Sequence, residues 1–198
     1  MKLVIATNNA HKITEIRNKF TGLPDIELLT PSDFPVAPAV VEDGATFSEN
    51  ALKKARALSR HTGFPALADD SGLVVDALAG RPGVYSARYG GENTGDTDRN
   101  RMLLEEMRGV PENARGARFI CVIAITLPGG GEYVAEGACE GVITESERGE
   151  GGFGYDPIFY LPELGRTMAE LTLEEKNRVS HRATALDGAR DILRGLPA

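Results

Sequence analysis

Apolar positions along the chain switch between a strand-like and a helix-like period. Leu3, Val4 and Ile5 form an unbroken run, which predicts a buried strand over 2–7. Ile13, Ile16 and Phe20 fall at helical spacing, so 11–20 is expected to be a helix, separated from the strand only by Asn8, Asn9 and Ala10. "DIELLT" (25–30) reads as a second strand, and the prolines at 31, 35 and 38 predict an irregular loop over 31–41. Thr46 and Glu49 have capping-box spacing ahead of a long helix over 47–61, which "GFP" at 63–65 breaks. "ALADD" (66–70) begins a strand, "AGRPG" (79–83) is turn material, and 94–109 carries a helical stripe through Leu103, Leu104 and Met107. "ARFICVIAITL" (117–127) is apolar on both faces, as a central strand would be. Gly129 and Gly130 predict a hairpin turn into "EYVAEGACEGVI", followed by a Gly-rich loop over 148–157. Thr172 and Glu175 form a second capping box, and Ser180 is placed to cap a last helix over 181–196. This order predicts an α/β fold, a mixed sheet with helices on its faces, in one domain over 1–198.

The chain has 198 residues, 22 basic and 29 acidic, with a formal net charge of −7. That balance argues against a broad nucleic-acid footprint, though not against one small anion held by local cations. No apolar run approaches the roughly 18 residues of a membrane helix, and Leu3–Ala6 is too short for a signal-peptide core. A cytoplasmic protein is expected. Cys121 and Cys139 stand apart in apolar segments and read as small buried hydrophobes.

Four stretches carry chemistry. "TNNAHK" (7–12) joins a strand end to a helix start, where backbone N–H groups and the helix dipole favour an anion, and Lys12 adds a mobile charge. The same residues would also make a plain polar turn. "DDSG" sets Asp69 and Asp70 side by side between apolar flanks, which suits a hard cation such as Mg²⁺. Glu42 and Asp43 are possible further ligands, or a solvated loop. "GGFGYDP" offers Phe153 and Tyr155 for stacking and Asp156 as an acceptor, unless both rings pack into the core. Lys176, His181 and Arg182 gather three donors within seven residues around a helix start. Together they describe a site for a nucleoside triphosphate with Mg²⁺.

"TNNAHK", "DDSGLVVDAL", "GRPGVYSARYGG", "GGFGYDPIF" and "SHRATAL" occur in the order and at the spacing of the inosine triphosphate pyrophosphatase family, which the whole chain resembles. The resemblance implies an elongated, two-lobed α/β fold around a central cleft. It also implies a homodimer, a Mg²⁺ requirement, and cleavage of non-standard purine triphosphates such as ITP, dITP and XTP to the monophosphate and pyrophosphate. By the same resemblance Asp70 is the general base and binds the metal with Glu42. Thr7, Asn8, Asn9, Ala10, His11, Lys12 and Ser71 face the phosphates and sugar. Phe153, Gly154, Tyr155, Asp156, Lys176, His181 and Arg182 hold the nucleotide, chiefly its base. Asn8 and His11 stand where many relatives have glycine, and Asn tolerates a positive φ better than most residues.

Overall fold

The computed structural model describes residues 1–23, 25–36, 38–91 and 93–196. Its strands are β1 (Lys2–Ile5), β2 (Glu27–Leu29), β3 (Ala66–Val75), β4 (Gly116–Thr126), β5 (Glu132–Ile143), β6 (Phe159–Leu161) and β7 (Arg166–Thr167). They form one sheet in the order β2-β1-β3-β4-β5-β6-β7. β1 is parallel to both β2 and β3, and the links between these strands carry the helices α1 (Ala10–Phe20) and α2 (Phe47–Thr62), as parallel crossovers require. β5, β6 and β7 pair antiparallel. The mixed sheet read from the sequence is therefore present. The remaining helices are α3 (Asp96–Glu106), α4 (Leu173–Val179) and α5 (His181–Gly195).

The chain divides into two compact units. The first comprises Met1–Asp70, Cys121–Gly137 and Arg182–Ala198; the second comprises Ser71–Ile120 and Ala138–His181. In the first, Ile16 and Phe20 of α1 bury against Leu67, Ile123, Leu186 and Leu193. In the second, Leu73, Leu103, Met107, Phe119, Phe159 and Met168 form a separate core. There the Phe119 and Phe159 rings lie 4.4 Å apart at 45°, a tilted pairing favoured by the ring quadrupoles.

Local signals set most element ends. Asn9 caps α1 by accepting from the His11 and Lys12 amides, so the helix opens at Ala10. Thr172 and Glu175 exchange both bonds of the capping box at α4. At α2 only half of the expected box forms: Thr46 accepts from the Glu49 amide, while Glu49 reaches the Ala45 N–H instead. The loop expected over 31–41 opens with a 3-10 turn at Pro31–Asp33, and Ala37 lies outside the described residues. α3 is shorter than its apolar stripe suggests and ends at Glu106.

β3 opens where "ALADD" is expected to begin a strand. The strand does not stop at the acid pair but runs ten residues, through Asp69 and Asp70 to Val75. The carboxylates sit in mid-strand, each with buried partners, so the backbone can stay extended past them. Among the described residues no helix is long and apolar enough to cross a membrane.

Gly141 of β5 gives a test of this packing. A Cβ there would lie 2.6 Å from the Phe159 ring and from the Tyr160 carbonyl oxygen. Gly141→Ala should destabilise the protein by about 1–3 kcal/mol, as overpacking typically does. Urea unfolding should show a lower midpoint at constant slope, and an unchanged midpoint would contradict the contact.

Candidate active site

In the first unit the phosphate loop and the acid pair share one charge network. Asp69 is 1% exposed. Its carboxylate takes the Lys12 ammonium on one oxygen and the Arg182 Nε at 2.9 Å on the other. The Cys121 thiol donates to it at 3.0 Å. Burial opposes the charge, but Arg182 and Lys12 together hold the carboxyl well below its ordinary value. Asp69 is therefore a permanent anion whose bonding is internal.

Asp70 differs. Asn50 Nδ2 donates to it at 3.2 Å, and Lys54 Nζ lies 3.3 Å from its other oxygen. Burial raises its pKa, Lys54 offsets part of that, and the nearby Glu42 charge raises it again, to about 6. Glu42 takes the same ammonium at 2.7 Å, so the two carboxylates share Lys54. Its own pKa is lowered, burial being outweighed by Lys54. Asp43, read as a possible further ligand, instead pairs with Lys53 on the surface. Lys54 is held above its ordinary pKa because Asp70 and Glu42 outweigh its burial. Asn50 also accepts from the Gly44 amide at 2.8 Å, which ties the Glu42 loop to α2.

The strand-to-helix loop is ordered by its own side chains. Thr7 Oγ1 accepts from the Asn9 amide at 3.2 Å, and Asn9 Oδ1 accepts from His11 and Lys12 at 3.0 and 3.2 Å. Two of the helix-start amides expected to face phosphate are thus bonded to Asn9. Asn8, Asn9, Ala10 and His11 are exposed. Among the described residues only Ala79 is a non-glycine with positive φ, so Asn8 sits in ordinary backbone.

The second unit holds the other candidates. Asp156 Oδ2 accepts from the Phe153 amide at 2.9 Å and from Lys176 Nζ at 2.8 Å, both groups being buried. The acceptor expected to read a base is thus bonded to its own loop and to α4. The Lys176 ammonium also lies 5.2 Å from the centre of the half-buried Phe153 ring. Gly152, at φ +75°, lets this loop close: a Cβ there would lie 2.1 Å from Asp156 Oδ2. Tyr155 is core, and its hydroxyl donates to the Ser86 carbonyl at 2.9 Å, so the ring anchors the loop. Gly154 is bonded at both its N–H and its carbonyl. Ser71, the first residue of this unit, is half-buried on β3. His181 stacks on Phe119 at 4.7 Å and 15°.

Arg182 is bonded inside the first unit. Its guanidinium is 3% exposed and bonds Asp69 at 2.9 Å and Glu15 at 2.7 Å within the first unit. Two buried carboxylates thus take its Nε and Nη1 groups. His181 and Arg182, neighbours in sequence, therefore serve different units.

The sequence reading passed over Lys54, Asn50 and Glu15. Asn50 and Lys54 stand four apart on a helix face otherwise carrying Ala51, Ala55 and Leu58, and polar residues on a buried stripe were the available signal. Glu15 lies one position before Ile16 and gives no such mark.

Comparison with known proteins shows the family. The Ham1 family model matches residues 3–192. A dITP/XTP pyrophosphatase from Geobacter sulfurreducens is 57% identical over 192 residues, 97% of this chain and 96% of that protein. One from Geobacillus kaustophilus is 56% identical, covering 93% and 90%. The solved structure of a HAM1 protein from Coxiella burnetii superposes with a TM-score of 0.91 at 41% identity, covering 99% of this chain and all of that one. With the match spanning both units and all four motifs, the chain belongs to the Ham1 family.

Proposed function

We propose that this protein hydrolyses non-standard purine nucleoside triphosphates, of the dITP and XTP class, to the monophosphate and pyrophosphate. In this reading it acts as a cytoplasmic homodimer that clears such nucleotides before a polymerase can use them. The observation that carries the proposal is the contrast within "DDSG". Asp69 is held on both oxygens by Lys12 and Arg182, while Asp70 has only an amide and one ammonium that it shares with Glu42, which leaves it the carboxylate able to take a proton. High identity to dITP/XTP pyrophosphatases over nearly full length supports the substrate class.

The donors also fit a magnesium ion. Glu42 and Asp70 already converge on one cation, the Lys54 ammonium. Mg²⁺ is commonly held by one or two carboxylates together with substrate phosphates. Bound by Glu42 and Asp70, it would neutralise the charge that grows on departing pyrophosphate.

The remaining steps fall to the chain's own residues. Lys12, steadied by Asp69, attracts the triphosphate as a point charge. Asp70 accepts a proton from a water whose oxygen attacks the α-phosphorus. The bond from that phosphorus to the bridging oxygen breaks, and pyrophosphate leaves with the bonding pair. Lys54, which lies against both carboxylates, would offer its ammonium to phosphate oxygens. In the second unit a purine stacks on Phe153 and Lys176 donates to O6. Hypoxanthine and xanthine present an acceptor at O6 and a donor at N1, and adenine the reverse, so adenine leaves Lys176 facing an amino group.

Three outcomes test this account. With Mg²⁺ present, pyrophosphate release should give kcat/KM for dITP, ITP and XTP at least ~10²-fold above that for dATP, the scale of a donor–acceptor mismatch. Equal values for ITP and ATP would contradict the base reading. Asp70→Asn should lose turnover by about 10²–10⁴-fold while still binding a non-hydrolysable analogue, because the amide keeps the shape and loses the basicity. Near wild-type turnover would remove Asp70 as the base.

The third outcome concerns stability without metal. Asp70's folded pKa of about 6 lies above its ordinary 3.8. Its contribution is therefore full below about pH 4 and is lost as pH rises to about 6. In EDTA, Asp70→Asn should be more stable than wild type by about 1–3 kcal/mol at pH 7.5, allowing for the lost Lys54 contact, and roughly equal to it at pH 4. Asp69→Asn removes a buried anion from two cations and should cost about 3–5 kcal/mol. Urea unfolding of both variants gives the comparison, and a shift of the same sign in both would overturn the division of roles.

A further inference from the structure

We propose that Asp96 and Asn100 are positioning residues for purine selectivity, because together they grip the Gly154 peptide at both ends. The proposal rests on the reading above that Phe153 and Lys176 meet the base. Asp96 and Asn100 stand four apart on α3 and so share a helix face. Asp96 Oδ2 accepts from the Gly154 amide at 2.7 Å. Asn100 Nδ2 donates to the Gly154 carbonyl at 3.1 Å. The clip is braced from behind: the other Asp96 oxygen takes Arg99, whose guanidinium also donates to the Ala87 carbonyl at 3.0 Å.

Asn100 is 1% exposed, and its Oδ1 is buried with no hydrogen-bond partner among the described residues. A buried amide satisfied at one end only is costly. The end that is satisfied is the one holding Gly154, which an apolar side chain of similar size could not do. The clip also completes a row of restraints. The Phe153 amide is held by Asp156, the Gly154 peptide by α3, and the Tyr155 hydroxyl by the Ser86 carbonyl. A stretch with glycines at 149, 151, 152 and 154 has much backbone freedom to lose, so it needs such outside restraints. Selecting O6 and N1–H over the adenine pattern requires donors placed within about 0.5 Å. Loosening Gly154 lets the Phe153–Lys176 pair shift by more than that, and the wrong base is then tolerated.

The test uses Asp96→Ala, Asp96→Asn and Asn100→Ala in the full chain. The first readout needs no nucleotide: hydrogen exchange at the Gly154 amide should be about tenfold faster in Asp96→Ala, as expected for one lost bond to a charged acceptor. The second is the ratio of kcat/KM for dITP to that for dATP, which should fall about tenfold in Asp96→Ala. That fall should come mainly through a higher KM for dITP, at little change in kcat or melting temperature. Asp96→Asn retains an acceptor oxygen and should restore most of the ratio. Asn100→Ala should lower the ratio in the same direction. Should Asn100→Ala fail to fold, the Asp96 pair still decides. Faster exchange with an unchanged ratio overturns the proposal, and so does unchanged exchange. A wild type inactive on every purine triphosphate would sink the functional reading itself. An active wild type with the same selectivity in Asp96→Ala sinks this proposal alone.

Discussion

The buried charge of Asp69 is the constraint on which the first unit depends. A carboxylate at that depth stays ionised only if cations come to it, since leaving it unpaired would cost several kcal/mol. Lys12 comes from the start of α1 and Arg182 from the start of α5, 57 and 113 positions away in sequence. Arg182 in turn brings in Glu15 of α1, 167 positions from it. One anion thereby fixes the strand carrying the acid pair, the loop meant for phosphates and the head of the last helix. Arg182 thereby ties α5 to β3 and α1.

Asp70, one residue on, faces the other side of the strand and has a different environment. Its partners are an amide and a shared ammonium, and Glu42 competes for that ammonium. Neighbouring residues on a strand point to opposite faces, so adjacent carboxylates can have unlike pKa values with no change in sequence composition. The pairing of one fixed anion with one titrating group follows from that alternation. In the proposed reaction this places a base beside an electrostatic anchor.

Much of this was legible in the sequence, and what was not has a common cause. The reading placed β5 at its observed bounds and identified the Thr172–Glu175 box, because both rest on local spacing. The mixed sheet followed from element order, and "DDSG", "GGFGYDP" and "SHR" marked the segments that matter. The roles within them were not legible. Whether Asp69 or Asp70 titrates depends on which cations approach from far along the chain. Lys54 and Asn50 are ordinary helix residues until α2 is laid against β3. Tyr155 looks like a stacking ring until its hydroxyl is seen on the Ser86 carbonyl. The half-formed box at Thr46 shows the limit even of local signals, since Glu49 takes the Ala45 amide instead.

The central claim is that Asp70 delivers a water to the α-phosphorus of a purine nucleoside triphosphate. Hydrolysis of dITP in water enriched in oxygen-18, followed by mass analysis of both products, tests it most directly. The account predicts one heavy oxygen in the deoxyinosine monophosphate and none in the pyrophosphate. Label in the pyrophosphate, or release of orthophosphate in its place, would contradict it.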